Sequence, residues 1–252
     1  MHKEKCDTKE AAAGKTPAAA SDSNSCVIRP IAYMHSSFVT KFGIPRQSGL
    51  TDARAEIVFE PEYASPEAFR GIEEFSHLWL IWGFSENTGR WSSTVRPPRL
   101  GGNVRMGVFA TRSPFRPNNL GLSLVQLEKV EHRSNRCILH VLGADLMDGT
   151  PIYDVKPYIP YVDARPEAAG GFTDHTDWQN LEVRFTTEAR QEAARSMPEE
   201  KLEELRQILE LDPRPSYQKD PDRIYGLSFS RWEVHFRADE KILTVLSIED
   251  RI

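Results

Sequence analysis

Three short segments of this sequence concentrate side chains suited to binding anions or reading a base. In Val95-Arg96-Pro97-Pro98-Arg99-Leu100-Gly101-Gly102-Asn103 two Arg are braced by two Pro, so little loop entropy is lost when they clamp an anion. In Ala110-Thr111-Arg112-Ser113-Pro114-Phe115-Arg116-Pro117-Asn118-Asn119, Arg112 and Arg116 can grip phosphate or carboxylate bidentately. Asn118 and Asn119 offer amide donors and acceptors together, as recognition of a base edge requires. The third segment, Asp148-Gly149-Thr150-Pro151, lies between two apolar runs, and turn chemistry alone accounts for its Asp-Gly. Solvated loops are the plain alternative for the first two. Their setting argues against it, because residues 87–127 contain no Asp or Glu. All six basic residues of that stretch are Arg: Arg90, Arg96, Arg99, Arg105, Arg112 and Arg116.

The whole chain of 252 residues carries a net charge of −5, which by itself speaks against a polyanionic partner. The charge is unevenly spread. Residues 27–165 are net +2, whereas residues 166–252 hold 12 basic and 19 acidic side chains, net −7. Screening over about 8 Å at physiological salt lets a local positive face persist under a negative total. With 39% hydrophobic residues, the chain has ample material for one large or two ordinary cores. Cys6, Cys26 and Cys137 are too few and too scattered for a disulfide framework, and an odd count fits a reducing compartment such as the cytoplasm. The longest apolar run, residues 78–84, falls far short of the roughly 18 residues of a membrane span. No Cys/His cluster has metal-site spacing, and there is no G-x-G-x-x-G, Walker loop or G-x-S-x-G elbow. No metal and no membrane contact are therefore expected.

The elements that must carry these segments are mostly short strands. Runs at residues 27–33, 55–59, 78–82, 104–111, 120–130, 137–142 and 150–159 have β-like composition and are separated by turn signals. Ser65-Pro66-Glu67 has the signature of a helix start. Seven strands and one short helix predict a mainly β fold, with a small barrel over residues 27–165. Residues 1–26, rich in Ala, Ser, Lys and Asp, read as a disordered leader. Residues 166–178, rich in Ala, Gly and acid, read as a linker. Residues 179–252 then predict a small α+β unit. It has a strand at 181–185, a helix opening at Pro198 with Leu202, Leu205, Ile208 and Leu209 on one face, and a hairpin of residues 225–236 and 242–248. From residues alone this is a β-rich protein with an Arg-rich anion-binding face, and neither cofactor nor reaction is fixed.

Longer motifs supply more. Phe75-Ser76-His77-Leu78-Trp79, then the Arg96 to Asn103 segment, then Arg105-Met106-Gly107-Val108-Phe109-Ala110-Thr111-Arg112-Ser113-Pro114 and Arg116-Pro117-Asn118 occur in order. They are followed by Asp148-Gly149-Thr150-Pro151 and Asp154-Val155-Lys156-Pro157-Tyr158. Together these resemble the TsaA-like (YaeB/TrmO) family of S-adenosylmethionine-dependent tRNA methyltransferases, over residues 27–165. Asp212-Pro213-Arg214-Pro215-Ser216-Tyr217 and the final hairpin resemble that family's C-terminal region. The resemblance implies a homodimer and a β-barrel methyltransferase fold, which explains the missing glycine fingerprint. It also implies methylation of N6 of threonylcarbamoyladenosine, 3′-adjacent to the anticodon of threonine tRNA. By position it assigns Pro45, Arg46, Gln47, Ser85, Glu86, Arg112, Leu122, Asp148, Gly149, Thr150 and Pro151 to S-adenosylmethionine. Arg96, Arg99, Arg116, Asn118, Arg214, Tyr217 and Lys219 then become candidate contacts to tRNA.

The acylated nitrogen is a poor nucleophile until it loses its proton, and Asp145, Asp148 and Asp154 are three carboxylates available to take it. The sequence does not choose among them. Two other functions compete. A non-catalytic RNA-binding barrel would show damaged cofactor motifs, and these are intact; an enzyme using the same cofactor on a small metabolite would not need the acid-free Arg stretch. The leader has too little apolar surface to pack, so deleting residues 1–26 is expected to leave the melting temperature unchanged, as a thermal scan of both forms will show.

Overall fold

A computed structural model describes residues 26–87, 91–100, 103–175, 179–215, 218 and 220–251. Six antiparallel strands close into a barrel: β1 (Ala32–Ser36), β2 (Arg54–Phe59), β3 (His77–Gly83), β6 (Leu120–Arg133), β7 (Arg136–Leu142) and β8 (Pro151–Pro157). The order around it is β1-β2-β7-β6-β3-β8, and β8 pairs back onto β1. Period-two alternation drives the closure. Ala32 and Met34 point inward from β1, Ile57 from β2, Leu78 and Leu80 from β3, and Leu139 and Val141 from β7, all at most 1% exposed. Between β3 and β6, a two-stranded ribbon of β4 (Thr94–Val95) and β5 (Met106–Gly107) stands off the barrel. It carries most of the acid-free stretch.

After β8 comes a single helical turn, α1 (Pro160–Asp163). The second unit is a four-stranded sheet of order β10-β11-β12-β9, with β9 (Glu182–Phe185) parallel to β12 (Ile242–Asp250) and β10 (Tyr225–Phe229) and β11 (Trp232–Ala238) antiparallel beside it. Two helices cover it, α2 (Thr187–Ser196) and α3 (Glu199–Glu210).

Several expected elements are shifted. The first strand starts at Ala32 rather than Val27, because Pro30 has no N–H to pair and residues 27–29 stay exposed. The helix expected at Ser65 is instead three successive 3-10 turns, Pro61–Tyr63, Pro66–Phe69 and Ile72–Glu74. Ser65 Oγ donates to the Glu67 carboxylate instead of capping the backbone, and Gly71 at φ 86° interrupts propagation. Residues 104–111 yield only β5 and a 3-10 turn, Val108–Ala110. The strand expected at 225–236 is two strands, reversed at Ser230 with φ 51°. Helix α2 has no counterpart among the expected elements, although Thr186 caps it by accepting from the Ala189 amide at 3.1 Å.

The barrel and the second unit meet through the segment between β1 and β2, residues 37–53. Phe38 and Ala53 are buried in the second core, not the barrel core, and Phe42 and Ile44 pack against the same cluster. Helix α3 holds both ends of the segment. Lys201 Nζ donates to Ser37 Oγ at 2.9 Å and to Glu204 at 2.8 Å. Glu204, 4% exposed, also accepts from the Arg54 amide at 3.2 Å, and Gln207 Oε1 accepts from the Asp52 amide at 2.7 Å. Glu204→Ala deprives the half-buried Lys201 ammonium of its carboxylate and the Arg54 amide of its acceptor. It is expected to destabilise the protein by about 1–3 kcal/mol, read from a urea unfolding curve.

Candidate functional site: two clefts with a common wall

The ribbon, the 37–53 segment and the open end of the barrel enclose two adjoining clefts. The smaller, about 640 Å³, is floored by β3, β6 and the chain entering β8. The larger, about 1290 Å³, lies on the ribbon side. Arg46, Gln47, Thr111, Arg112, Pro114 and Phe115 line both. Within this wall, Arg112 Nη1 donates to Gln47 Oε1. Thus a barrel loop touches the segment anchored in the second core.

Eight of the residues assigned to the cofactor by resemblance line the smaller cleft: Pro45, Arg46, Gln47, Ser85, Glu86, Arg112, Leu122 and Thr150. Asp148, Gly149 and Pro151 stand behind it. Asp148 Oδ1 accepts from the Ser36 amide at 3.1 Å and lies 3.4 Å from His35 Nδ1. Gly149, at φ 76°, donates its amide to Met34 O at 2.8 Å, and Pro151 opens β8 opposite Tyr33. These three close the barrel turn that presents Thr150.

Sequence reasoning missed most of the floor. Trp82 and Phe84 pack with ring centroids 4.2 Å apart, and both line the cleft. Gly121 lies opposite Trp82 in the β3–β6 register, and a Cβ there would come within 2.3 Å of the indole. Trp82 was legible as part of a buried apolar strand, but its packing against the bare Gly121 backbone emerges only from pairing register. Trp82 Nε1 donates to Ser123 Oγ at 2.9 Å, and Ser123 Oγ donates to Asp145 Oδ1 at 2.6 Å. Burial pushes the Asp145 carboxyl up to about 6, against the pull of Ser123, the Asp145 and Ser48 amides and the Arg112 charge.

The larger cleft is basic and aromatic. Arg46, Arg96, Arg105 and Arg112 line it, no carboxylate stands among its described lining residues, and Phe109 and Phe115 are 73% and 42% exposed within it. One wall comes from Gly170, Phe172 and Thr173, inside the stretch read as a mere linker. Residues 171–175 form a 3-10 turn there.

Other expected tRNA contacts are placed differently. Arg116 Nη1 donates to Val108 O at 3.1 Å and Thr111 O at 2.7 Å, so it braces its own loop while lining the smaller cleft. Asn118 is exposed and its main chain closes a tight turn with Leu120. Its neighbour Asn119 ties two loops, donating to Asn87 O at 2.8 Å and accepting from the Phe84 amide at 2.9 Å. Arg214 is a correction: only 8% exposed, it is held by the Asp212 carboxylate and donates to Ala238 O and Asp239 O. A guanidinium satisfied this way inside the second unit is not available to a phosphate. Its carbonyl accepts from Arg46 Nη2 at 3.4 Å. The Arg99 side chain, Tyr217 and Lys219 lie outside the described residues. Among the described residues no group of His, Cys, Asp or Glu could hold a metal, and no helix is long and apolar enough to cross a membrane.

Comparison with known proteins agrees with this architecture. Residues 33–164 match the family model of the tRNA-methyltransferase O N-terminal domain, and residues 178–251 match that of the TrmO C-terminal domain. A tRNA (adenine(37)-N6)-methyltransferase of Escherichia coli is 39% identical over 88% of this chain and 97% of its own length. A putative S-adenosylmethionine-dependent methyltransferase, RcsF of Pseudomonas aeruginosa, is 41% identical over 83% of this chain and 91% of its own. The crystal structure of TrmO from Pseudomonas aeruginosa superposes with a TM-score of 0.73 at 33% identity, covering 89% of this chain and 98% of that one.

The Asp145 carboxyl titrates near 6 in the folded chain and near 3.8 in the unfolded one. At pH 7.5 it is ionised in both, and the native state bears the desolvation cost. Below pH 4 it is protonated in both, and the cost vanishes. Asp145→Asn is therefore expected to be more stable than the parent by on the order of 1–3 kcal/mol at pH 7.5, the gain fading toward pH 4, as paired melting curves will show.

Proposed function

We propose that this chain, which belongs to the tRNA-methyltransferase O family, transfers the methyl group of S-adenosylmethionine to N6 of the adenine beside the anticodon of tRNA. The observation that carries this is the pair of clefts joined at Arg112 and Gln47, one able to enclose a nucleoside and the other basic and aromatic.

The residues of the smaller cleft fit the cofactor. Lys41, Arg46 and Arg112 offer cations to a carboxylate, and Trp82 with Phe84 offers aromatic surface to a base and a sulfonium. The bare Gly121 backbone lets the Trp82 indole lie flat against β6 as part of that floor. When bound, the cofactor supplies an electrophilic methyl group. The chain's part is alignment: nitrogen, methyl and sulfur must lie in line, and a wall shared by two clefts suits that geometry.

Arg96 and Arg105 in the larger cleft face the RNA, with Phe109 and Phe115 available to stack on unpaired bases. The same guanidiniums suit the carboxylate of a threonylcarbamoyl group, so N6-threonylcarbamoyladenosine of threonine tRNA is the proposed substrate. A cytoplasmic homodimer completes the proposal, supported by the exposed apolar Leu120 and Leu122 at the cleft.

Incubating the purified protein with S-adenosylmethionine and tRNA is expected to add one methyl group to the modified adenosine, seen by nucleoside mass spectrometry. Arg96→Ala is expected to weaken tRNA binding and to lower its salt slope by ~0.7–0.9 for each phosphate left without its cation, with cofactor affinity unchanged. A parent protein that methylates no tRNA would sink the proposal. An Arg96→Ala variant with the parent's affinity and slope would remove that loop from the RNA interface.

A further inference from the structure

Removal of the proton from the acylated nitrogen needs a base, and the three candidate carboxylates have different surroundings. Asp154 is half-buried on β8; its Oδ1 accepts from the Val155 amide at 3.0 Å, and its Oδ2 pairs with Lys156 Nζ at 2.8 Å. Asp148 is engaged with Ser36 and His35 behind the cleft. Only Asp145 of the three lines the smaller cleft. Glu86 lines it too, but it is exposed at the rim, where water competes for its oxygens. Building on the methyl transfer proposed above, we infer that Asp145 is the proton acceptor of the reaction, held in place by the Trp82–Ser123 hydrogen-bond relay.

The step balances. The N6–H proton passes to the Asp145 carboxylate, the nitrogen lone pair forms the bond to methyl, and the methyl–sulfur pair returns to sulfur. A carboxylate anion and a sulfonium cation become a neutral acid and a neutral thioether. Charge is destroyed along the path, so a partly buried, aromatic-floored cleft opposes the transition state less than it opposes the ground state. Burial has a second effect. A carboxylate desolvated in this way is a stronger base than a solvated one, yet still ionised at neutral pH. The relay fixes orientation. Ser123 is 1% exposed and accepts from the Trp82 indole, so its hydroxyl proton is directed at Asp145 Oδ1, and the Ser48 and Asp145 amides steady the same carboxylate at the cleft wall. Charged groups lining the same cleft are Lys41, Arg46, Arg112 and Arg116 on one side and Glu86 on the other. The cations outnumber the acid, which keeps Asp145 ionised.

The test uses the full chain with tRNA and S-adenosylmethionine, once the parent's methyl transfer is established. A parent without activity overturns the function, whereas the variants below address Asp145 alone. Asp145→Asn is expected to lower kcat by about 100- to 10,000-fold, with dissociation constants for cofactor and tRNA within about threefold of the parent by the same criterion of unperturbed binding. The parent's kcat/KM for tRNA is expected to fall at acid pH, with a limb at or below about pH 6 that Asp145→Asn lacks. Ser123→Ala removes a donor to the ionised carboxylate, so its limb is expected to move to higher pH. It also serves as the test if the Asn variant does not fold. Retention of kcat within a few fold in Asp145→Asn overturns the assignment. So does a loss of activity that merely tracks lost cofactor affinity, an acid limb that disappears in Glu86→Gln instead, or an unmoved limb in Ser123→Ala.

Discussion

Residues 37–53 leave the barrel at β1 and return to it at β2, but their apolar side chains are buried elsewhere. Phe38, Phe42, Ile44 and Ala53 pack with the second unit, and Lys201, Glu204 and Gln207 of α3 hold the polar ends. This constraint places Pro45, Arg46 and Gln47 at the smaller cleft. The barrel supplies the floor and the ribbon side; the C-terminal half supplies the tension that keeps the opposite wall upright. A hydrophobic anchor of this kind is stiffer than a surface loop, which would otherwise carry backbone freedom into the site. The buried Arg214 serves the same end: its guanidinium locks the turn after α3 to the β11–β12 connection, and its carbonyl meets Arg46.

Charge is partitioned along the same line. The acids of α3 are engaged locally: Glu203 and Glu210 pair with Arg206, and Glu200 pairs with Arg54. Such exposed pairs add little stability, but they offset part of the negative charge of α3. The guanidiniums of the ribbon have no carboxylate partner among the described lining residues of the larger cleft. A chain with net charge −5 thus presents a concave positive surface, where field lines concentrate and salt screens less than on a convex one.

The barrel was legible from short β-like runs punctuated by turn signals, although in the wholly apolar run of residues 78–82 it is the pairing that turns Leu78 and Leu80 inward. Boundaries failed where local chemistry competed with pattern, as at Pro30, Ser65 and Ser230. In the site, the acid-free run pointed to the basic cleft because charge distribution is a property of composition. Arg214 misled for the opposite reason. Its type suits anion binding, but its partners, Asp212 and Ala238 O, are set by folding. Phe172 lay hidden in a segment whose Ala, Gly and acid content signals a tether. No one-dimensional pattern reports which wall a tether leans against.

The packing of Trp82 over Gly121 has an evolutionary corollary. The indole fills the volume that any Cβ at position 121 would claim, at 2.3 Å, so the two positions share one space and cannot drift separately. A methyl group gained at 121 requires a smaller ring at 82, and a smaller ring withdraws the N–H that Ser123 receives. A lineage walking through single substitutions would meet a barrier at either first step, one steric and the other polar. Positions 82, 121 and 123 therefore form one inherited unit, and a change in the shape of this floor has to come as a set.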